Sequence, residues 1–130
     1  RALLGEKINI VNCEKAIITG DKVSIFDAYK EKDERGNPLK GPYTQKMPDR
    51  FVRRAIRGML PYKQEKGKKA FENIMCYMGI PDEFKDEKIE TIPTANITKS
   101  KTFKYTTVGD LCKHLKKWKQ YIKTEKERLQ

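Results

Sequence analysis

The stretch Asp49-Arg-Phe-Val-Arg-Arg-Ala-Ile-Arg-Gly-Met-Leu-Pro61 decides how the rest of the chain is understood. Asp49 suits the cap position of a helix, and Pro61 has no backbone N–H with which to continue one. The spacing predicts a helix over residues 50–60. At about 100° per residue, Phe51, Val52, Ala55, Ile56 and Met59 fall on one side, and Arg50, Arg53, Arg54 and Arg57 on the opposite side. The apolar side can dock on a core. The other presents four guanidinium groups within about a third of the circumference, each a planar fork matched to phosphate oxygens. A solvated helix face is the plain alternative. Asp49 is the only carboxylate close by in sequence, so internal ion pairing does not account for four arginines.

Charge spreads outward from this helix in the same sense. The chain has 130 residues, with 29 Lys and Arg against 18 Asp and Glu, a net charge of +11. Residues 35–69 carry eleven cations and two anions, and residues 99–130 carry ten and three. Residues 21–34 and 70–98 are net negative, at −2 and −4. Segregated positive charge builds a directed field, as on a nucleic-acid-binding surface, whereas interspersed charge mainly confers solubility. Counting glycine among the apolar residues gives 50 of 130, below the usual ~45–50%, so a single domain over residues 1–130 has only a small core.

The flanking segments add to the basic surface. Residues 33–48 are a loop, broken by Gly36-Asn37-Pro38 and Gly41-Pro42, and it carries Arg35, Lys40, Tyr43 and Lys46. Loops of this length in a compact domain are usually functional or disordered. After Pro61 comes Tyr62-Lys-Gln-Glu-Lys-Gly-Lys-Lys69, a basic turn in which Lys63, Lys66, Lys68 and Lys69 extend the arginine face. Tyr43 and Tyr62 either stack on bases or pack as ordinary aromatics.

Elsewhere, residues 8–13 read as a short strand, residues 16–20 as a second short apolar run ending in glycine, and residues 74–78 as a buried strand. Residues 22–32 read as a helix with Val23, Phe26 and Tyr29 or Lys30 along one side. A short helix is predicted over 66–73, with Ala70 and Phe71 inward. Residues 82–90 are acidic and solvated, and residues 91–104 extended and basic. Thr107-Val-Gly-Asp110 resembles a capping box opening a last helix. There Val108, Leu111, Cys112, Leu115, Trp118 and Ile122 share one face, and Lys113, Lys116, Lys117 and Lys123 another. Lys119 falls on the apolar side, where its stem can snorkel outward. This lysine face reads more simply as solvated surface than as a phosphate contact.

Catalysis and cofactors find little support. His114 is the only histidine, so a His-centred metal site is not expected. Cys13, Cys76 and Cys112 are odd in number and far apart, which suits reduced thiols in a cytoplasmic protein. No GxSxG elbow occurs. Gly67-Lys68 is followed by Lys69 where a phosphate loop needs Ser or Thr. Asp82, Glu83, Asp86 and Glu87 read as a solvated acidic linker rather than a Mg²⁺ site of an RNA-processing enzyme. No apolar run approaches ~18 residues and no signal peptide is visible. No cofactor, membrane partner or small-molecule substrate is expected.

Three stretches taken together resemble a known family. They are Ile10-Val-Asn-Cys-Glu-Lys-Ala-Ile-Ile-Thr-Gly20; Gly41-Pro-Tyr43 followed by Val52-Arg-Arg-Ala-Ile-Arg-Gly-Met-Leu-Pro61; and Gly67-Lys-Lys-Ala-Phe71 running into Tyr77-Met-Gly-Ile-Pro81. In order and spacing they resemble the thirteenth protein of the large ribosomal subunit. Asp82-Glu-Phe84 and Tyr105-Thr-Thr-Val-Gly-Asp-Leu111 look most like its archaeal branch. The resemblance implies a three-layer α/β/α fold around a small, largely parallel sheet, with an extended basic loop and a C-terminal helix. It implies a structural, non-catalytic role in the large subunit of the cytoplasmic ribosome, with large-subunit rRNA and neighbouring ribosomal proteins as partners. By position it gives phosphate-binding roles to Arg53, Arg54 and Arg57, and close approach to RNA at Gly58. Family members begin with a further strand and helix before the point matched by Arg1-Ala-Leu-Leu-Gly5, which points to a processed or split chain. A regulatory RNA-binding module acting outside the ribosome is the alternative.

Overall fold

The computed structural model describes residues 1–37 and 39–115. Its strands are β1 (Ile8–Ile10), β2 (Ile17–Thr19), β3 (Ile74–Cys76) and β4 (Tyr105–Thr107). Its α-helices are α1 (Lys22–Glu34), α2 (Pro48–Met59), α3 (Glu65–Glu72) and α4 (Val108–His114).

The α/β class holds, but the expected single, largely parallel sheet is not what the described strands form. β1 pairs with β3 in parallel, with Ile8 opposite Ile74 and Ile10 opposite Cys76. β2 pairs with β4 antiparallel, with Ile18 opposite Thr106. The backbone between β1 and β2 explains the division. Asn12 adopts φ 55, a left-handed conformation that Asn tolerates better than most residues, and a 3₁₀ turn over Cys13–Lys15 follows. The first strand therefore stops at Ile10, short of residue 13. Asn12 N donates to Gly79 O at 2.9 Å, and Gly79 N donates to the Glu14 carboxylate at 3.0 Å. Together these bonds pin the turn beside the exit of β3.

α2 lies between the two sheets. Val52, Ile56 and Leu60 pack on buried Cys13, Ile74 and Cys76, while Val52 also joins Met47, Phe51, Ile18 and Met78 around Val108 and Cys112. One side of α2 thus closes two small hydrophobic clusters, and its other side must face outward. Ala55 and Met59, expected on the inner side, are exposed, Met59 by 79%. The clusters are small and are met by Phe51, Val52, Ile56 and Leu60, which leaves Ala55 and Met59 uncovered although they share that side of the helix.

Several boundaries differ from expectation. α2 starts at Pro48, which fills the first helical position without needing its missing N–H, and Met47 is the cap. Asp49 is not the cap residue. It sits in the first turn, where a carboxylate favours the helix dipole. One of its oxygens is buried without a hydrogen-bond partner among the described residues. α1 is capped by Asp21, whose carboxylate accepts from Ser24 N at 3.4 Å. Ile25, Phe26, Tyr29 and Asp33 are its half-buried positions, whereas Val23 is exposed. α3 runs over 65–72, with Ala70 buried and Phe71 only half-buried. β3 alternates, Ile74 and Cys76 inward and Met75 outward, so it is not buried on both sides. Between residues 91 and 104 the backbone forms two 3₁₀ turns, Pro93–Ala95 and Ile97–Lys99, rather than an extended run. β4 fills the gap between the expected extended run, which ends at residue 104, and the last helix, and takes in the cap residue Thr107. Thr107 does cap α4, accepting from Asp110 N at 3.1 Å. Val108, Leu111, Cys112 and Leu115 are buried as expected. Trp118, Ile122 and Lys116, Lys117, Lys119 and Lys123 lie outside the described residues.

Candidate nucleic-acid interface

The basic positions expected to contact RNA lie on α2 and on the segments that flank it. Arg50, Arg53, Arg54 and Arg57, with Gln45 and Phe71, line one open cleft of about 420 Å³. No carboxylate is among those residues, and among the described residues none of the four arginines forms an ion pair.

The four are not equivalent. Arg53 lies over the Phe71 ring, its guanidinium carbon 4.5 Å from the centroid, and its Nε donates to Ile74 O at 3.2 Å. Arg57 lies over the Tyr62 ring at 5.0 Å. Stacking leaves a guanidinium's edge N–H groups free to bond an anion while fixing the plane in which they point. Arg54 Nη1 donates to Tyr43 O at 3.2 Å, joining the loop to the helix. Arg50 is exposed. The cleft therefore combines held forks with a free one.

The remaining positions divide further. Lys63, Lys66 and Lys68 are exposed beside the cleft's helix, whereas Lys69 pairs with Glu65 at 3.1 Å on the surface of α3. Lys40 is exposed in the loop turn. Arg35 pairs with Glu31 one turn back on α1 at 2.5 Å, and that guanidinium holds the Glu31 carboxyl below its usual range. Lys46 contacts Asp33 at 2.6 Å with both side chains largely covered, so its charge is matched within the chain and it ties the loop to α1. Sequence spacing gives no sign of that pairing, because Asp33 is thirteen residues away on another element.

Tyr43 is 65% exposed and Tyr62 40%. Tyr62 supports Arg57. Gly58 is open, and a Cβ there would meet nothing within 4 Å, whereas a Cβ at Gly67 would meet Pro61 O at 2.0 Å. Gly67 is thus the glycine on which packing depends: it lets α3 touch the backbone that ends α2. Phe71 and Gln45 complete the cleft, although nothing in the sequence marks them as binding positions. Phe71 reads from the sequence only as a core residue, and its i−4 neighbour Gly67 gives the one hint that α3 packs closely beside α2.

Among the described residues no group of His, Cys, Asp or Glu could hold a metal ion, and no helix is long and apolar enough to cross a membrane.

The family model described as Ribosomal protein L13 matches residues 1–83, which span β1 through β3 and the arginine cleft. Relatives named large ribosomal subunit protein uL13 align over most of the chain. That of Archaeoglobus fulgidus is 45% identical over 116 residues, covering 88% of this chain and 74% of the relative. Those of Methanococcoides burtonii and Natronomonas pharaonis are 41% and 40% identical, covering 87% and 88% of this chain and 81% and 76% of theirs. The sequence motifs, the α/β core and the matched residues agree: the chain belongs to the ribosomal protein L13 family, whose members are large-subunit ribosomal proteins rather than enzymes.

Proposed function

We propose that this chain is a structural constituent of the large ribosomal subunit that binds large-subunit rRNA through the arginine cleft of α2 and the Lys63–Lys69 turn. The observation that carries this reading is the cleft itself, with four guanidinium groups, no carboxylate in its lining, and two of the forks laid on aromatic rings. Arg35, Lys40 and Tyr43 extend the surface along the loop, and Lys46 anchors that loop. Gly58 leaves room for RNA to approach α2. Neighbouring ribosomal proteins are the remaining partners. On this reading residues 1–130 act as one domain. The parallel β1–β3 pair is the nucleus of the three-layer α/β/α arrangement, with α2 and α3 forming one of its helical layers.

Phosphate contacts make the reading measurable. Binding of the chain to large-subunit rRNA, followed from low to moderate salt, should fall with a log–log slope of roughly −4 to −5 if about six phosphates are neutralised. A nearly flat response overturns it. Mass spectrometry of salt-washed large subunits tests the location. About one copy per particle is the expected result, and recovery only from ribosome-free fractions favours a regulatory RNA-binding module.

A further inference from the structure

A second cleft adjoins the arginine cleft and shares Gln45 and Arg54 with it. It has a volume of about 430 Å³ and lies between the end of α1, the loop and α2. Three aromatic rings, Tyr29, Tyr43 and Phe51, stand in its walls. Tyr29 and Phe51 meet at 5.2 Å, tilted by 56°, and the Tyr43 ring stands on the loop side. Its cations are Lys32, Arg35 and Arg54, and no carboxylate is among its lining residues.

Tyr43 is held unlike a loosely exposed side chain. Its hydroxyl donates to Leu39 O at 2.6 Å, and its own carbonyl accepts from Arg54. The ring lies beside Gly41, where a Cβ would come within 3.3 Å of two ring carbons. Gly41 has φ +88, so both its backbone and the ring's position favour glycine there. An aromatic fixed at both ends yet 65% exposed is a stacking surface arranged before its partner arrives.

We propose that this cleft takes one unstacked RNA nucleotide, its base against Tyr43 and its flanking phosphates on Arg54 and Lys32. This rests on the RNA-binding reading and assigns a second, base-holding part to it. Three features favour a nucleotide over a peptide. An aromatic wall accepts any base by its π face. The cationic, carboxylate-free lining complements phosphate. The cleft also shares Gln45 and Arg54 with the arginine cleft, so a backbone held there runs beside it. RNA offers such bases at bulges and loops, where they are already splayed from the helix.

The test compares two RNA hairpins that differ by one bulged nucleotide, prepared with each of the four bases in turn and titrated with the full chain at fixed salt. At least one bulged hairpin should bind more tightly than the fully paired one by about fivefold or more, the lower end of what a single base–aromatic stack supplies. Tyr43→Ala should abolish that preference, so that bulged and paired hairpins bind the variant equally. Ala55→Leu is the second variant. It adds bulk at an exposed helix position in the cleft lining without touching the loop's hydrogen bonds, and it should act the same way. Equal binding of bulged and paired hairpins by the native chain overturns the inference while leaving RNA binding intact, and the cleft then fits an extended peptide of a neighbouring protein instead. A bulge preference that survives both variants overturns it too. Failure of every hairpin to bind overturns the RNA reading itself.

Discussion

Arg53 and Phe71 form the contact that joins α2 to α3 across the arginine cleft, the guanidinium carbon 4.5 Å above the ring centre. The same side chain bonds Ile74 O at the start of β3. A residue on the binding surface is therefore also a structural tie between two helices and a strand.

Arg53→Ala and Arg50→Ala should separate these roles. Each removes one cation from the cleft, so each should reduce the salt slope of RNA binding by about 1. Arg53→Ala should also lower stability by about 1–2 kcal/mol, because it removes a charged hydrogen bond and a cation–π contact. Arg50→Ala should leave stability within about 0.5 kcal/mol. Urea denaturation of both variants checks this, and equal stability losses would contradict the assignment.

The two glycines that flank the end of α2 should behave oppositely. At Gly67 a Cβ would overlap Pro61 O and Pro61 C, at 2.0 and 2.4 Å, and both are backbone atoms that cannot swing aside. Gly67→Ala should cost about 2–3 kcal/mol, as α3 is forced off the turn. Gly58 sits in α2 with open space around it. Gly58→Ala should stabilise the free chain by about 0.5–1 kcal/mol through helix propensity. If RNA lies against that position, as proposed, the same variant weakens RNA binding despite the gain in stability. Thermal melts and titration of rRNA on one preparation give both answers.

These residues also show how far the sequence can be followed. The arginine face is legible because helical periodicity is local, and α2 carries all four arginines within eight residues. The cap at Thr107 is legible for the same reason. What depends on distant partners is not. Sheet pairing rests on strands of three residues, too short for alternation to declare a partner, so two sheets cannot be told from one. β4 is Tyr-Thr-Thr, whose middle residue is buried although polar, and hydropathy alone gives no reason to place it inside. Whether Lys46 faces RNA or Asp33 is in the same way a question about where α1 lies.

Thiol ionisation gives a prediction in alkaline solution. Burial, reinforced by the Asp49 carboxylate, pushes the Cys112 thiol up to about 12 from its ordinary value of 9.0. The folded value is raised, so the neutral thiol's contribution to stability is fully present below pH 9 and is lost as pH rises towards 12. Cys76 is pushed up as well, by its hydrogen bond with Cys13 first and by burial second, and that bond draws Cys13 down. Unfolding free energy should therefore fall between pH 9 and pH 11. Cys112→Ala should fall less steeply over that interval from whatever stability it has at pH 8. Parallel slopes for the two proteins would show that Cys112 ionisation does not drive the loss.

The Lys46–Asp33 pair yields a prediction that bears on the limits of the binding surface. The side chains are 21% and 24% exposed, which puts the pair between surface ion pairs worth ~0–1 kcal/mol and buried ones whose breakage costs ~3–5 kcal/mol. A coupling of about 1 kcal/mol is expected from the double-mutant cycle of Lys46→Met and Asp33→Asn. Because the pair ties the loop to α1, either single variant should speed hydrogen exchange at Thr44–Met47 more than at α2. The effect on RNA binding then separates two roles for the lysine. If Lys46 only anchors the loop, Lys46→Met leaves the salt slope unchanged, while Arg50→Ala reduces it by about 1. If Lys46 leaves Asp33 to reach a phosphate, both variants reduce the slope equally, and Asp33→Asn tightens binding by removing the competing carboxylate. The covered 2.6 Å contact favours the first outcome, since a phosphate would have to displace a partner already in place.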